Sequence, residues 1–567
     1  MRGLGNARST SLNTIRCRPW RSSFLPTRNL SDSGQFSTNE DLFRYTSGRW
    51  LYNEQQELSK RSFGFNISGL RDLAAETLGD SCVEVAKVSE NLYSKTLSLK
   101  TKRGEEVFAK LPNPKSTNPR SVVASEVATI DYVRNILDIP VPKVLTWSSP
   151  RQQNNPVEAE YILMEPAKGR KVSDVWDTMS DSQQIGLVKS VVALEQTLLN
   201  TKFASHGSLY YHGAHPDDSL HKAQSTADDE TSRFFIGPTN QSPFWRDHLS
   251  YQSIDRGPWG TALEYLTAVA NCEIALVRYG NAQAPGYEFP SYKIQKHTEE
   301  QPEEPVVDFP ITRLEKVQAL DYEIFQSRTP KQREEHAQVL EKFLAVLPYI
   351  LPPEDFLRSV LHHHDLSSDN IFVDDSDPTK ITSILGWQGL YTAPLFMQTG
   401  RIPAIFDPTQ NRSAEILDQR LELMDLYEQA SRQANPALSK IIDTTHPSKT
   451  DDDPTISIHQ VMSTTSLSGP FELKELLIRI YEQWDSIKQQ RSLDIPCPIS
   501  FSDKEIRRSR ELLDKWRQAL ALYRGLLVDI GGDAGWVSHM EHKKASEIWE
   551  SYRLTLNSMR DVLERMR

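Results

Sequence analysis

The stretch LHHHDLSSDNIFV, residues 361–373 of this 567-residue chain, concentrates the side chains that could do chemistry. Three consecutive histidines and Asp365 are all common metal ligands, so their types suggest a metal cluster. The spacing suggests a second chemistry, because Asn370 follows Asp365 by five residues and opens a short apolar segment. A carboxylate that accepts a proton and an amide that holds a cation need such a short, rigid loop. Two interpretations, a metal site and a phosphotransfer loop, therefore have to be compared.

The three histidines, His362, His363 and His364, are poorly placed to share one ion. Successive side chains of an extended segment point to alternating sides of the backbone, so all three imidazoles cannot face the same metal. We expect instead that His363 bonds to the backbone and shapes the loop. A histidine metal cluster, and metallohydrolase chemistry with it, is the less favoured alternative.

The phosphotransfer interpretation depends on His363, Asp365 and Asn370, which have the spacing H-x-D-x-x-x-x-N. In enzymes that transfer a phosphoryl group from ATP, an aspartate in this arrangement accepts the proton of the substrate hydroxyl, and the asparagine binds Mg²⁺ on the phosphates. The apolar segments NIFV and ITSIL, joined by the turn DDSDPTK, would hold the loop rigid. The sequence thus predicts a catalytic-type loop over 361–388, with Asp365 as the base and Asn370 as a metal ligand.

Residues that could bind the nucleotide precede this loop. Lys110 lies in the segment VFAKLP, and Glu126 follows sixteen residues later in a helical pattern. A lysine and a glutamate in that order would hold the α- and β-phosphates. The segment YILMEPAKG has the form of a hinge, so the backbone of Met164, Glu165 and Ala167 is predicted to bond to the adenine ring.

The elements that must position these residues form a small sheet followed by a helical region. Three strand-like segments, CVEVAKVS, LYSKTLSLKT and EEVFAKLP, precede a helix, and VPKVLTW and YILMEP supply two more strands. After Ala167 the pattern is mostly helical, with loop insertions near 280–310 and 443–455. This order predicts an α+β, bilobal protein: a small antiparallel-sheet N-lobe over 67–166 and a large, mainly helical C-lobe over 167–567.

The composition is that of a globular protein without a general nucleic-acid-binding surface. Apolar residues make up 38% and charged residues 25%, and 76 acidic against 65 basic side chains give a formal net charge of −11. An excess of acidic residues argues against non-specific binding to a polyanion. The four cysteines are scattered without a C-x-x-C pair, which indicates reduced thiols. No apolar stretch is long enough to span a bilayer, so we expect no transmembrane segment.

The N-terminal 31 residues contain no acidic side chain but six arginines, with many Ser and Thr residues between them. The arginines are Arg2, Arg8, Arg16, Arg18, Arg21 and Arg28. That composition predicts a mitochondrial transit peptide over 1–31, followed by an N-terminal extension over 32–66. A disordered basic tail is the alternative.

The chain resembles the aminoglycoside phosphotransferase family, the choline-kinase-like branch of the protein-kinase fold, in the motifs quoted above and in the segment ITSILGWQ. Further segments resemble a fungal mitochondrial branch of this family, the altered inheritance of mitochondria protein nine group: FRYTSGRWLYNE, HGSLYY, GPWGTALEYL and GPFELKELL. The resemblance implies a kinase-like fold, ATP and Mg²⁺ as cofactors, and a small hydroxylated substrate or a protein as partner. It does not imply antibiotic phosphorylation, because one fold serves many substrates.

Gly386 is the main departure from the family pattern. The family's metal-binding aspartate precedes WQ, and here Gly386 occupies that position in ILGWQ. Glycine offers no ligand, and losing a principal metal ligand should slow phosphotransfer by on the order of a thousandfold or more. Asp374, Asp375 and Asp377 lie in the turn between two strands, roughly 10 Å away, so we do not expect them to replace it.

The loop expected to cover the phosphates also departs from the family. VSENLYSKTLSL, residues 88–99, contains no glycine, although glycine lets backbone N–H groups approach phosphates closely. The chain is expected to turn at Glu90 and Asn91, which would place the Glu90 carboxylate near the triphosphate. We therefore predict a mitochondrial kinase-fold protein with an impaired phosphotransfer site. The alternative is an active ATP- and Mg²⁺-dependent small-molecule phosphotransferase.

Overall fold

The structure is a computed structural model that describes most of the chain from Glu40 onward. The described residues are 40–114, 121–149, 155–212, 233–245, 249, 253–279, 329–398, 403–406, 414–445, 454–530 and 535–551. The predicted transit peptide, residues 1–31, and the predicted insertion near 280–310 lie outside these ranges.

The described residues form short strands and longer helices. In chain order the strands are β1 (Arg49–Trp50), β2 (Cys82–Glu90), β3 (Ser94–Thr101), β4 (Glu106–Pro112), β5 (Val144–Ser148), β6 (Tyr161–Met164), β7 (Arg170–Lys171), β8 (Ser208–Tyr211), β9 (Phe234–Gly237), β10 (Ser359–Leu361), β11 (Ile371–Val373), β12 (Ile381–Ile384), β13 (Thr392–Pro394) and β14 (Trp536–Val537). The α-helices are α1 (Glu40–Phe43), α2 (Glu54–Arg61), α3 (Ile67–Leu78), α4 (Val122–Asn135), α5 (Val172–Val175), α6 (Asp181–Asn200), α7 (Ala262–Tyr279), α8 (Pro330–Val346), α9 (Leu395–Gln398), α10 (Ala414–Ala434), α11 (Pro436–Thr445), α12 (Pro454–Met462), α13 (Thr465–Ser468), α14 (Phe471–Glu482), α15 (Trp484–Gln490) and α16 (Asp503–Ile530).

A five-stranded sheet forms the N-lobe. Its strand order is β2-β3-β4-β6-β5, and every neighbouring pair is antiparallel. Apolar and β-branched residues between turn signals predicted these strands, and their side chains divide between the two faces of the sheet as pleated strands require. The antiparallel sheet predicted from the sequence is therefore confirmed.

Helix α3 covers one face of this sheet. It buries Leu70 against Leu97 and Leu99 of β3 in a single apolar cluster. The helix begins where the Asn66 side chain accepts a hydrogen bond from the backbone N–H of Gly69, at 3.0 Å. Asn66 is thus the N-cap of α3, because its side chain satisfies a backbone donor that has no partner within the helix.

Helix α4 covers the opposite face. Val123 and Val127 of α4 pack against Ile162 of β6, whereas the next residue of that strand, Leu163, packs in the cluster on the α3 side. Alternating side chains of one strand therefore contact the two helices, as the period of two dictates. This packing places α4 across the strands that precede the hinge.

Helices α7, α8 and α14 form the centre of the C-lobe core. Leu266, Phe343 and Leu477, one from each of these helices, are buried in the same apolar cluster. A second cluster joins α6 to the catalytic-type loop through Val188 and Ile371. The mainly helical C-lobe, and with it the predicted α+β bilobal fold, is confirmed.

A three-stranded sheet, β12-β11-β7, links the hinge to the catalytic-type loop. β7 follows the hinge and pairs with β11. Gly169, with φ +88°, permits this approach, since a Cβ atom there would lie 2.2 Å from the carbonyl oxygen of Val373. The Thr382 hydroxyl also donates to Lys168 O at 2.6 Å. Backbone contacts thus hold the hinge and the loop in one arrangement.

The C-terminal segment returns to the N-terminal extension, which the sequence did not predict. β14 pairs antiparallel with β1, so Trp536 and Val537 contact residues from the other end of the chain. The predicted division of the chain included no pairing between its two ends. The reason is physical: a two-residue strand carries no periodicity, and its partner lies almost the whole chain away.

The described residues bear on three smaller expectations. α11 continues to Thr445 and α12 begins at Pro454, so the predicted loop over 443–455 is narrowed to residues outside the described ranges. Within those ranges no helix is both long and apolar enough to cross a bilayer. The cysteines there, Cys82, Cys272 and Cys497, are free thiols.

Candidate functional site

The imidazole of His363 holds the catalytic-type loop together. Its Nε2 atom donates to Leu385 O at 2.9 Å, and its Nδ1 atom accepts a hydrogen bond from Asp365 N at 3.2 Å. The ring stands edge-on to Trp387, with 4.7 Å between the ring centres. Burial lowers the pKa of His363 to about 3, so the ring is neutral at pH 7, as an accepting Nδ1 requires. His363 therefore has the scaffolding role predicted for it.

His362 and His364 face other partners. His362 Nε2 lies 3.3 Å from Glu195 Oε1, and the second oxygen of Glu195 accepts the Tyr427 hydroxyl at 2.8 Å. His364 packs against the Tyr391 ring, with 5.0 Å between centres. Within the described ranges, no group of three or more His, Cys, Asp or Glu side chains is arranged to hold a metal ion. The rings of His362 and His364 are neighbours, with 5.7 Å between their centres, whereas His363 contacts Trp387 and Leu385. Nothing in these contacts supports the metallohydrolase alternative.

Asp365 and Asn370 are in direct contact. The Asn370 Nδ2 atom donates to Asp365 Oδ2 at 2.5 Å and to Asp365 O at 3.1 Å. The Asn370 backbone is held as well, since its carbonyl accepts Leu385 N at 2.9 Å. Asp365 is buried, with 5% of its surface exposed. The structure therefore brings together the two side chains that were predicted to act together, with the amide turned towards the carboxylate.

Gly386 lies beside this pair and faces it. Its φ is +91°, and a Cβ atom built there would lie 2.9 Å from Asn370 Nδ2 and 3.3 Å from His363 Cε1. Glycine adopts this left-handed backbone without strain, and Asp or Asn adopts it more readily than other residues. A side chain at position 386 would therefore point at the Asn370 amide, but Gly386 has no side-chain atom that could bind a metal ion.

The side chains around Asn370 fit a Mg²⁺ ion poorly. Mg²⁺ demands octahedral oxygen coordination and is usually bound by one or two carboxylates together with substrate phosphates. Here the Asp365 carboxylate is engaged by the Asn370 amide, and position 386 has no side chain. No phosphoryl-transfer step through a metal follows from these donors.

The acidic residues of the β11–β12 turn are used within the turn. Asp374 Oδ1 accepts hydrogen bonds from Ser376 N at 2.9 Å and Ser376 Oγ at 2.6 Å. Asp377 Oδ1 does the same for Thr379 N and Oγ1. This is the turn chemistry that the sequence predicted, and it explains the acidic run without a metal role.

Lys110 and Glu126 form an ion pair. The distance between Lys110 Nζ and Glu126 Oε1 is 2.5 Å, and the side chains are 15% and 5% exposed. Strand register places Thr96 beside Lys110 and Ser89 beside Thr96. Two hydroxyl-bearing residues therefore share a sheet face with the lysine. A partly open ammonium group on such a face is suited to bind an anion.

The segment predicted as a hinge begins with β6, and one of its predicted contacts is already used. Met164 ends β6 and is buried. The backbone N–H of Glu165 donates to Lys143 O at 2.9 Å, so it is not available to an adenine ring. The backbone of Ala167 makes no hydrogen bond with another described residue. Binding of a base at Met164 or Ala167 stays a prediction.

Glu90 does not face the predicted nucleotide side, which corrects the expectation from the sequence. Its side chain is fully buried and accepts hydrogen bonds from Lys95 Nζ at 2.7 Å and Lys87 Nζ at 3.2 Å. Thr46 N donates to it at 2.7 Å. Glu90 pairs with Lys95 across the hairpin, one position along from the pair Ser89 and Thr96, which shares the sheet face of Lys110. Because side chains alternate along a strand, Glu90 lies on the opposite face of the sheet, called the outer face below. Its charge is balanced on the outer face.

A network that the sequence analysis missed fixes α4. The Tyr211 hydroxyl on β8 donates to Asp131 Oδ2 at 2.6 Å. A guanidinium nitrogen of Arg233 donates to Asp131 Oδ1 at 3.1 Å. At the start of α4, Ser121 Oγ donates to Asn240 Oδ1 at 2.8 Å. These partners lie 80 to 119 positions apart in the chain, so no local pattern could have revealed them.

The chain is similar in sequence to fungal proteins. It is 31% identical over 361 residues to an Aspergillus fumigatus protein named a subtelomeric hrmA-associated cluster protein, covering 59% of this chain and 64% of that protein. It is 29% identical over 254 residues to altered inheritance of mitochondria protein 9, mitochondrial, of Yarrowia lipolytica, covering 40% of this chain and 43% of that protein. The chain thus spans less than two thirds of the length of these relatives.

The second of these matches confirms the predicted resemblance, and the name of that relative agrees with the predicted mitochondrial location. The protein of the same name from Zygosaccharomyces rouxii is 27% identical to this chain over 318 residues, covering 45% of this chain and 50% of that protein. No protein-family model matches the chain.

Solved structures of aminoglycoside phosphotransferases are also similar. The enzyme APH(4)-Ia, in a ternary complex with ADP and hygromycin B, is 12% identical with a TM-score of 0.34, over 74% of this chain and 98% of that one. The streptomycin–ATP complex of APH(2")-IIa is 9% identical with a TM-score of 0.33, over 75% and 96%. At these scores the fold assignment depends on the strand order and helix packing described above.

Proposed function

We propose that this chain, a relative of the fungal proteins named altered inheritance of mitochondria protein 9, is a mitochondrial kinase-fold protein that binds a nucleotide but has an impaired phosphotransfer site. The division into a transit peptide (1–31), an extension (32–66), an N-lobe (67–166) and a C-lobe (167–567) belongs to this proposal. The proposal also includes a partner, either another protein or a small hydroxylated molecule, that binds the nucleotide-bound protein.

One observation carries the impaired site. Position 386 faces the Asn370 amide so closely that a Cβ atom would lie 2.9 Å from Nδ2 and would have to displace it, and the position holds glycine. An ionised ligand at this position would offset charge that develops on the transferred phosphoryl group. Its loss corresponds to several kcal/mol of transition-state stabilisation, on the order of a thousandfold in rate. The Asn370 amide bonds to the Asp365 carboxylate instead.

Other contacts support retention of nucleotide binding. The Lys110–Glu126 pair presents a partly exposed ammonium group for the phosphates. Ala167 offers a backbone with no hydrogen bond to another described residue, in the segment between the lobes. Binding of a nucleotide needs these two anchors and less charge compensation than transfer does, because the transferring group develops its charge only in the transition state.

A second candidate function is an active ATP- and Mg²⁺-dependent small-molecule phosphotransferase. The contact between Asp365 and Asn370 favours it, since both residues stand where a base and a metal ligand would be used. In that case Asp365 would accept the proton of a substrate hydroxyl, and Asn370 would turn its amide oxygen to the cation.

Isothermal titration with ATP, with and without Mg²⁺, separates the two candidates. We expect the wild-type chain to bind ATP with an affinity that Mg²⁺ changes by less than about threefold, since no carboxylate stands at position 386. Gly386→Asp should then gain Mg²⁺-dependent affinity of about tenfold or more. Gly386→Asn is the matched control, because Asn tolerates the same backbone without adding charge.

The outcomes assign the function directly. A tenfold Mg²⁺ effect in the wild-type chain, together with ATP turnover, would establish the active enzyme instead. Equal gains in Gly386→Asp and Gly386→Asn would show that shape, not a missing ligand, limits the site. For location, residues 1–31 fused to a fluorescent reporter should direct it to mitochondria, and a cytosolic reporter would refute the transit peptide.

A further inference from the structure

The hairpin of β2 and β3 turns without a glycine. Asn91 Oδ1 accepts hydrogen bonds from Tyr93 N and Ser94 N, both at 2.8 Å, and Asn91 N donates to Ser94 O at 3.0 Å. An asparagine that bonds to the backbone two residues on forms an Asx turn. The tip is therefore closed by its own side chain, and its position is set by what packs outside it.

Both ends of the described chain pack on this tip. Leu92 is buried in one apolar cluster with Tyr45 and Trp50 of the extension and Trp536 of the C-terminal segment. Trp536 Nε1 donates to the Tyr45 hydroxyl at 2.9 Å. Gly48 lies against the indole, where a Cβ atom would be 2.4 Å from a ring carbon. The close fit leaves no room for a larger residue.

Charged groups fix the same hairpin from the outer face. Lys87 Nζ and Lys95 Nζ, which both contact the Glu90 carboxylate, also donate to Arg44 O at 2.9 Å each. All three charged side chains are buried. Removing one partner of a buried charge group leaves the others unpaired, which costs far more than the loss of an exposed pair. Glu90 thus joins the extension to both strands of the hairpin.

The two chain ends are joined to each other as well. β1 and β14 form a two-stranded antiparallel sheet, and Leu51 N donates to Gly535 O at 2.8 Å. His539 Nε2 donates to Thr46 O at 3.0 Å. We call residues 44–51 and 535–539 the terminal clamp.

We propose that the terminal clamp holds the β2–β3 hairpin in place above Lys110 and thereby sets the affinity for nucleotide phosphates, with Glu90 as a positioning residue. The clamp grips the outer face, whereas Ser89 and Thr96 belong to the inner face that they share with Lys110. The effect on affinity rests on the proposed nucleotide site; the effect on the hairpin does not. The C-terminal segment can then regulate a site that it does not touch.

Hydrogen exchange of residues 88–97 in the nucleotide-free full chain tests the clamp itself. Trp536→Ala removes the indole from Tyr45, Gly48 and Leu92, so exchange in the hairpin should rise on the order of a hundredfold. Trp516→Ala is the matched control, because Trp516 is also buried but lies in α16 against Phe471. Glu90→Gln keeps the side-chain shape but removes the charge that Lys87 and Lys95 share, so it is a second, independent variant if Trp536→Ala does not fold. Unchanged hairpin exchange in both Trp536→Ala and Glu90→Gln would overturn the clamp.

Affinities for ATP and for adenosine, measured on the same variants, test the positioning role. Glu90→Gln should weaken ATP binding by about tenfold and leave adenosine binding unchanged, because only ATP carries phosphates to the hairpin. Equal losses for both ligands, or a loosened hairpin with unchanged ATP affinity, would overturn that role. A wild-type chain that binds neither ligand would refute the proposed nucleotide site, and the exchange result would still decide the clamp.

Discussion

Tyr211 donates its hydroxyl to Asp131 at 2.6 Å and so ties the β8–β9 hairpin to helix α4, five residues beyond Glu126. Arg233 of the same hairpin contacts the other oxygen of that carboxylate. The helix that brings Glu126 to Lys110 is therefore held at its far end by a segment of the C-lobe. A change in this hairpin should reach the Lys110–Glu126 pair through the rigid helix.

Tyr211→Phe should loosen α4. We expect the free energy of unfolding to fall by about 1.5–3 kcal/mol, the value of a hydrogen bond to a charged acceptor, and ATP affinity to fall severalfold. Urea denaturation and ATP titration measure the two effects. Tyr265→Phe is the matched control, since that hydroxyl accepts Gln241 Nε2 at 2.9 Å within the C-lobe. Equal ATP affinities for Tyr211→Phe and wild type would contradict the coupling.

Lys110→Met should lower ATP affinity by at least about tenfold, because a single ammonium group beside phosphate contributes about 1.4 kcal/mol or more. Adenosine affinity should not change, since the nucleoside has no phosphate. Lys100→Met, on the neighbouring strand with an exposed side chain, controls for the loss of a positive charge from the same sheet. A parallel loss in Lys100→Met would mean that net charge, not the ion pair, matters.

Glu160→Gln should stabilise the protein at neutral pH. Burial raises the pKa of Glu160 to about 8, and its Oε1 atom has no hydrogen-bond partner among the described residues. Because the pKa of Glu160 is raised on folding, its contribution to the free energy of unfolding is fully present below about pH 4.5 and is lost as pH rises towards 8. We expect the variant to gain about 1–3 kcal/mol in unfolding free energy at pH 7 and almost nothing at pH 4.5. Glu158→Gln, at an exposed neighbouring position, is the control and should change the free energy of unfolding at neither pH.

Acid should destabilise the C-lobe through His459. Burial between the rings of Phe343 and Phe396 lowers the pKa of His459 to about 4. A pKa lowered on folding means that stability is present above about pH 6.5 and is lost as pH falls through 6.5 towards 4. Between pH 7 and 4.5 this group should remove about 2–3 kcal/mol.

His459→Gln should therefore flatten the dependence of unfolding free energy on pH in urea denaturation, whatever it costs at pH 7. His206→Gln is a useful comparison, because burial lowers the pKa of His206 to about 4 in another part of the chain. If the slope of His459→Gln equals that of wild type, His459 does not titrate with folding.

Much of the fold could be predicted because its signals are local. The alternation in β2 to β4, the cap at Asn66 and the turn chemistry of Asp374 and Asp377 depend on neighbours within a few residues. The catalytic-type loop has the same property, since His363, Asp365 and Asn370 meet within one short turn. For Glu90, the strand was predicted correctly, but the side chain lies on the other face of the sheet. A shift of one residue along a strand is enough to move a side chain from one face to the other.

By itself, the sequence determined the α+β order of elements, the residue types of the candidate site and the glycine at position 386. The tertiary structure decided what these residues face: Gly386 with a left-handed backbone turned towards Asn370, and Glu90 turned away to two lysines. It also decided that Trp536 meets Tyr45 across almost the whole chain. Such pairings arise from burial of apolar surface among distant segments, and no spacing within one segment specifies them.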